Sequence, residues 1–236
     1  MFARNITLLT FRGISVRLHW TFILFLVWIA LSNPGNLSDK ASELFFLLSI
    51  FTCVVLHEYG HALTARLFGI NTRDITLYPI GGVALLVRDP KPKEEFFIAL
   101  AGPLVNVVIA ILIFNLYGID ESALISEHAS FWTRIFLANL VLVVFNMIPA
   151  YPMDGGRVLR SALGLILAQG SATIISARIG QLFSILMAGL AIYFDHTILL
   201  IIAFFIFMQA RRDILYWKQR AAMEEPFSDN YSRRSE

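Results

Sequence analysis

Charge is what this sequence has least of. Only 15% of its 236 residues are Asp, Glu, Lys or Arg, against about 25% in an ordinary soluble domain. That shortage, beside a hydrophobic share of 57%, excludes a soluble globular enzyme, a disordered chain and a nucleic-acid-binding arm. Cysteine is scarcer still. The single Cys53 excludes an intramolecular disulfide framework and a multi-cysteine zinc site. Internal repeats, heptads and low-complexity tracts are missing as well. What fills the chain is a series of apolar runs, and the partner they call for is a lipid bilayer.

Six such runs follow one another, at about 18–31, 44–68, 96–117, 131–148, within 171–194 and within 197–210. The third contains no charge, and the fourth only Arg134. A crossing needs roughly 20 residues, so the last run is short. A cleaved signal peptide is the alternative reading of the first, with Ala30-Leu31-Ser32 as its cleavage site. The long region before it and its Trp and Phe content favour a retained span.

Basic residues orient the bundle, because cytoplasmic loops retain Lys and Arg. Arg4, Arg12 and Arg17 precede the first run, and Arg73, Arg88, Lys91 and Lys93 follow the second. Arg157, Arg160 and Arg178 follow the fourth, and Arg211, Arg212, Lys218 and Arg220 follow the sixth. The alternate connections hold Lys40 at most, and one carries Asp120, Glu121 and Glu127 instead. The expectation is an all-α polytopic membrane protein of six transmembrane helices with both termini cytoplasmic. Residues 1–212 form that six-span domain. Residues 213–236 form a cytoplasmic tail, disordered from Glu224 through Arg233 and Arg234.

One stretch departs from the helical pattern. Ile75-Thr76-Leu77-Tyr78-Pro79 and the run from Gly81 to Val87 read as two short strands around a Gly-Gly turn. Strand amides cannot face lipid unpaired, so this small β element between the second and third spans lies in the interface or lines a protein cavity.

The chemistry is concentrated in His57-Glu58-Tyr59-Gly60-His61, inside the second apolar run. Positions four apart share one helical face, so both imidazoles can reach a single cation. Glu58 stands beside that cation, placed to take a proton from water whose pKa zinc lowers to roughly 7. Each charged side chain at this depth costs about 2.5–3.5 kcal/mol on insertion scales, which argues against an idle cluster. A zinc hydrolase needs a third protein ligand. Between Glu127 and Asp195 the only acidic residue is Asp154, which reads either as that ligand or as the cap of the helix that follows. Capping does not account for Asn146, an amide at the end of the fourth run. Depth agrees with the ligand reading. At 1.5 Å per residue His57 lies about 20 Å beyond Leu44, toward the side where the fourth run ends.

His19 reads as an interfacial anchor rather than a ligand, and His128 and His196 fall in connections on the opposite side of the membrane. Cys53, four residues before His57, reads as a small apolar filler.

Four segments together resemble the site-2 protease family of intramembrane zinc metalloproteases, in that family's order, from about residue 15 to 212. They are His57-Glu58-Tyr59-Gly60-His61, Pro79-Ile80-Gly81-Gly82-Val83-Ala84, Ala101-Gly102-Pro103-Leu104-Val105-Asn106, and the stretch from Asn146 through Pro149, Pro152 and Asp154-Gly155-Gly156 to Arg157. The resemblance implies zinc as cofactor, with His57, His61 and Asp154 as ligands and Glu58 as catalytic base. It gives Asn146 a role on the substrate or the oxyanion, with Asn106 a second candidate, and makes Gly82, Val83 and Ala84 part of a strand that pairs with substrate. The implied substrates are single-span or multi-span membrane proteins, cleaved within or near the bilayer of a cell membrane, in the short size of the chain a prokaryotic inner membrane. Members that carry PDZ or CBS modules are longer, so a short form without them is expected. The rival from another class is a zinc-binding membrane transporter or receptor without proteolytic activity. Such a protein would favour acidic or His residues on several spans, and these runs are nearly bare of them.

Overall fold

The stretch before the first apolar run, noted in the sequence for its arginines, forms strands from Ile6 to Leu18. In the computed structural model, which describes residues 5–32, 36–79, 81–119 and 129–232 with side chains to residue 220, β1 (Ile6–Phe11) and β2 (Ile14–Leu18) precede α1 (Trp20–Ser32) and α2 (Leu37–Leu67). Then come β3 (Thr72–Tyr78), β4 (Gly81–Leu86), α3 (Pro92–Tyr117), α4 (Phe131–Asn146), α5 (Asp154–Leu163), α6 (Gln169–Tyr193) and α7 (Thr197–Ser232). Arg4, Ile80, the acidic connection of Asp120, Glu121 and Glu127, His128, Arg233 and Arg234 lie outside the described residues.

The chain is mostly helical with one small sheet. Among the described residues three helices, α2, α3 and α6, are long and apolar enough to cross a membrane. α1 and α4 are apolar but shorter, at 13 and 16 residues. α7 runs well past the apolar residues that open it.

Two compact units are distinguishable, one of residues 1–90 and 97–145, the other of 91–96 and 146–236. In the first, the expected hairpin of β3 and β4 is half of a larger sheet ordered β1-β2-β3-β4. β1 pairs antiparallel with β2, β2 parallel with β3, and β3 antiparallel with β4. A parallel pair needs a long crossover, and here α1 and α2 supply it. Ile14 and Val16 alternate inward from β2 and meet Ile75 and Leu77 of β3 over Phe22, Tyr59 and Ala62. That apolar layer fastens the sheet to α2 one residue from Glu58, and the Tyr59 hydroxyl donates to the Ile14 carbonyl at 3.2 Å. Arg17 reaches Asp74 on the neighbouring strand at 2.9 Å.

The second unit contains α5, α6 and α7. Small residues let α6 and α7 pack, with Ala177 against Ala210 and Ile214. Ser176 and Ser184 satisfy their hydroxyls on carbonyls of their own helix, at 2.8 and 2.7 Å, so neither leaves an unpaired polar group in the apolar segment.

Candidate metal centre

A capping box starts α2: the Asn36 side chain accepts from the Asp39 amide, and the Asp39 carboxylate accepts from the Asn36 amide. From there the helix runs 31 residues and carries His57 and His61 on one buried face, each 5% exposed. Their Nε2 atoms stand 3.1 Å apart. At the far edge of each ring Nδ1 has an acceptor, the Asn106 carboxamide oxygen at 2.5 Å for His57 and the Ile98 carbonyl at 2.6 Å for His61. A neutral imidazole that donates from Nδ1 keeps its lone pair on Nε2. Two lone pairs at this separation repel unless a cation lies between them, and about 3.3 Å is the spacing of two nitrogens that share a tetrahedral ion at roughly 2.0–2.1 Å. The donor set and its outer hydrogen bonds are those that zinc takes.

The helix that faces these rings approaches them closely at a glycine. A Cβ built on Gly102 of α3 would stand 2.7 Å from the His57 Nε2 and nearer still to that of His61. Any side chain at this position would press on both imidazoles, at the atoms that would hold a metal. On the sheet side, a Cβ at Gly82 of β4 would come within 2.7 Å of the Glu58 Cγ. The strand backbone therefore lies directly against the carboxylate-bearing side chain. Beyond it Val83 is 49% and Leu85 54% exposed, while Ala84 packs into the core between sheet and helix. β4 ends the sheet order, so its outer edge has no strand partner among the described residues.

Asn106 is fully buried and meets His57 at the ring edge opposite Nε2. Its amide nitrogen donates to the Asn139 oxygen at 2.7 Å. Asn139, a buried amide of α4, was not singled out by sequence, although a carboxamide inside an apolar run is itself a signal. Gly102 was read only as part of a motif. Away from this cluster, the His19 Nδ1 bonds the Thr21 hydroxyl at 2.7 Å and its ring packs on Trp20 and Tyr78, in keeping with an anchor.

In the second unit, Asp154 is the first residue of α5, and the N-cap position belongs to Met153. The carboxylate is not the cap, although a negative charge in the first turn suits the helix dipole. It is 7% exposed. Arg157, one turn on, places Nη1 3.3 Å from Asp154 Oδ1 and Nε 3.8 Å from Glu95 Oε1. Arg160 bonds the same Glu95 oxygen. Burial alone would lower the Arg160 pKa, but the charge and hydrogen bond of Glu95, with Tyr151 and Asp213, together hold the guanidinium above its ordinary value. Asn146, half-buried, ends α4 eight residues before Asp154.

The model of Peptidase family M50 matches residues 45–129 and 117–187. A zinc metalloprotease of Methanocaldococcus jannaschii is 38% identical over 209 residues, 89% of this chain and 60% of that protein. Stage IV sporulation protein FB of Bacillus subtilis is 32% identical over 56% of this chain and 44% of its own length. The chain thus spans less than two thirds of these curated relatives. Among solved structures, a site-2 protease from M. jannaschii superimposes with a TM-score of 0.63 at 35% identity, over 89% of this chain and 95% of the other. Paired imidazoles on an apolar helix, a strand against the intervening glutamate, and sequence and fold shared with these proteins lead to one conclusion: the chain belongs to Peptidase family M50, that of the site-2 proteases.

Proposed function

We propose that this chain is a zinc-dependent intramembrane endopeptidase that hydrolyses peptide bonds in or near transmembrane segments of membrane proteins. The observation that carries the proposal is the pair of buried Nε2 atoms 3.1 Å apart on an apolar helix, with the Glu58 side chain between them in sequence and against β4 in space. His57 and His61 supply two ligands. Asp154 supplies the third, supported by its burial, its family motif and its freedom from the capping role. Zinc, when bound, polarises the scissile carbonyl and acidifies water.

Glu58 acts as the base. It takes a proton from the attacking water and delivers it to the leaving amine, so the carboxylate ends as it began. Asn146 steadies the developing oxyanion by donating from its amide. A transmembrane helix hides its amides in internal hydrogen bonds, so substrate must unwind before it can be cut. The open edge of β4 at Gly82, Val83 and Ala84 receives the extended segment by strand addition, beside Glu58. The apolar helices together form six spans with both termini cytoplasmic, supported by the distribution of Lys and Arg over the connections. Residues 1–212 make up the six-span domain.

The test compares wild type with Glu58→Gln, His57→Ala and Asp154→Ala in detergent, by metal analysis and by cleavage of a co-expressed single-span substrate. Glu58→Gln is expected to retain zinc and lose at least about 100-fold in cleavage rate, whereas the two ligand variants lose zinc as well. Cleavage retained by Glu58→Gln removes that residue from the role of base. Zinc flux in proteoliposomes without proteolysis by wild type favours the transporter.

A further inference from the structure

Behind His57 a line of buried amides crosses three helices. The His57 ring of α2 donates to Asn106 of α3, and Asn106 donates to Asn139 of α4. Asn139 in turn donates to the Ile135 carbonyl at 2.9 Å, with the Cys53 sulfur of α2 at 3.4 Å. Asn106 and Asn139 are both 0% exposed, and neither carries an ionisable group. Two carboxamides buried in apolar surroundings are costly to keep unless their bonds are made. The line therefore has a reason to exist other than packing.

Its polarity is dictated from the far end. A backbone carbonyl can only accept, so the Ile135 oxygen requires the Asn139 nitrogen to face it. That turns the Asn139 oxygen toward Asn106, which must then present its own nitrogen. The Asn106 oxygen is left facing His57, and an oxygen can be met there only by an N–H. His57 is thereby held with its proton on Nδ1 and its lone pair on Nε2, the form that binds a metal. Were either amide reversed, two nitrogens or two oxygens would face one another at hydrogen-bond distance.

We propose that Asn139 is a positioning residue: acting through Asn106, it sets the tautomer of His57 and aims the Nε2 lone pair at the metal. The inference deepens the zinc reading above and rests on it. It also assigns Asn106 to the support of His57 rather than to substrate.

The experiment measures zinc affinity of the full-length chain in detergent, by competition with a chelator of known affinity. The variants are Asn139→Leu, Asn106→Ala, their double combination and Cys53→Ala. Asn139→Ala replaces the leucine variant if that one does not fold. Loss of an outer-sphere partner weakens metal binding about 10–100-fold, and that is the loss expected for Asn139→Leu. Because Asn139 acts only by way of Asn106, the double variant is expected to bind zinc no more weakly than Asn106→Ala alone. A packing defect would instead add to it. Cys53→Ala, which leaves the Ile135 carbonyl in command of the amides, is expected to stay within about twofold of wild type. The proposal is overturned if Asn139→Leu binds zinc as wild type does, or if the double variant loses the product of the two single losses. Wild type that takes up no zinc overturns the underlying metal reading instead, a result separable from either of these.

Discussion

Gly102 shows how a residue without a side chain can set the approach of a helix to two imidazoles. A methyl group there would meet both imidazole Nε2 atoms, so Gly102→Ala is expected to abolish zinc uptake in metal analysis while the helices still fold. Gly82→Ala makes the contrast. Its Cβ would push on the Glu58 Cγ and not on the imidazoles. That variant is expected to keep its zinc and lose about 100-fold in kcat, the usual effect of displacing a catalytic group by an ångström. Equal zinc content in wild type and Gly102→Ala would show that the rings can part to admit a methyl group. At this scale the sequence was partly legible. His57 and His61 declare themselves because a four-residue spacing is a local property of a helix. Asn139 does not, because its meaning depends on a partner 33 residues earlier and another 86 residues earlier.

Among the elements, the apolar runs were readable because composition and length are enough to mark a helix in lipid. Their ends moved: α2 begins at Leu37, well before the apolar run, because Asn36 and Asp39 close a capping box there. The N-terminal strands escaped notice. β1 carries no clear alternation, with every residue exposed, and β2 is five residues long. What makes β2 a strand is its parallel pairing with β3 across the intervening helices. Arg17, read first as a topological charge, is also the cross-strand partner of Asp74, whose side chain is 5% exposed. Arg17→Met leaves that carboxylate without this partner and is expected to cost on the order of 1–3 kcal/mol of stability. Arg17→Met combined with Asp74→Asn should recover most of the loss. Thermal unfolding in detergent measures both, and additive losses in the double variant would show that the pair does not couple.

For the molecule as a whole, the distribution of basic residues yields a labelling pattern. In intact cells a membrane-impermeant maleimide is expected to reach Lys40→Cys and His196→Cys but not Asp89→Cys or Arg212→Cys. Labelling of Arg212→Cys from outside would require an odd number of crossings and overturn the six-span arrangement. Asp89, His196 and Arg212 are exposed and Lys40 is half-buried, and the native Cys53 is buried, so the readout reports sidedness. The sequence by itself determined that the chain carries several apolar runs of helical length and the His57-Glu58-Tyr59-Gly60-His61 pattern within one of them, because hydropathy and helical spacing act over a few residues. Tertiary structure alone decided that Gly82 would lie against Glu58, that Gly102 would stand directly against the imidazoles, and that residues 6–11 and 14–18 would join a sheet with residues 72–86. Each of those depends on segments distant in the chain meeting in space, and such meetings are settled by packing and by pairing of buried polar groups, which leave no periodic trace along the sequence.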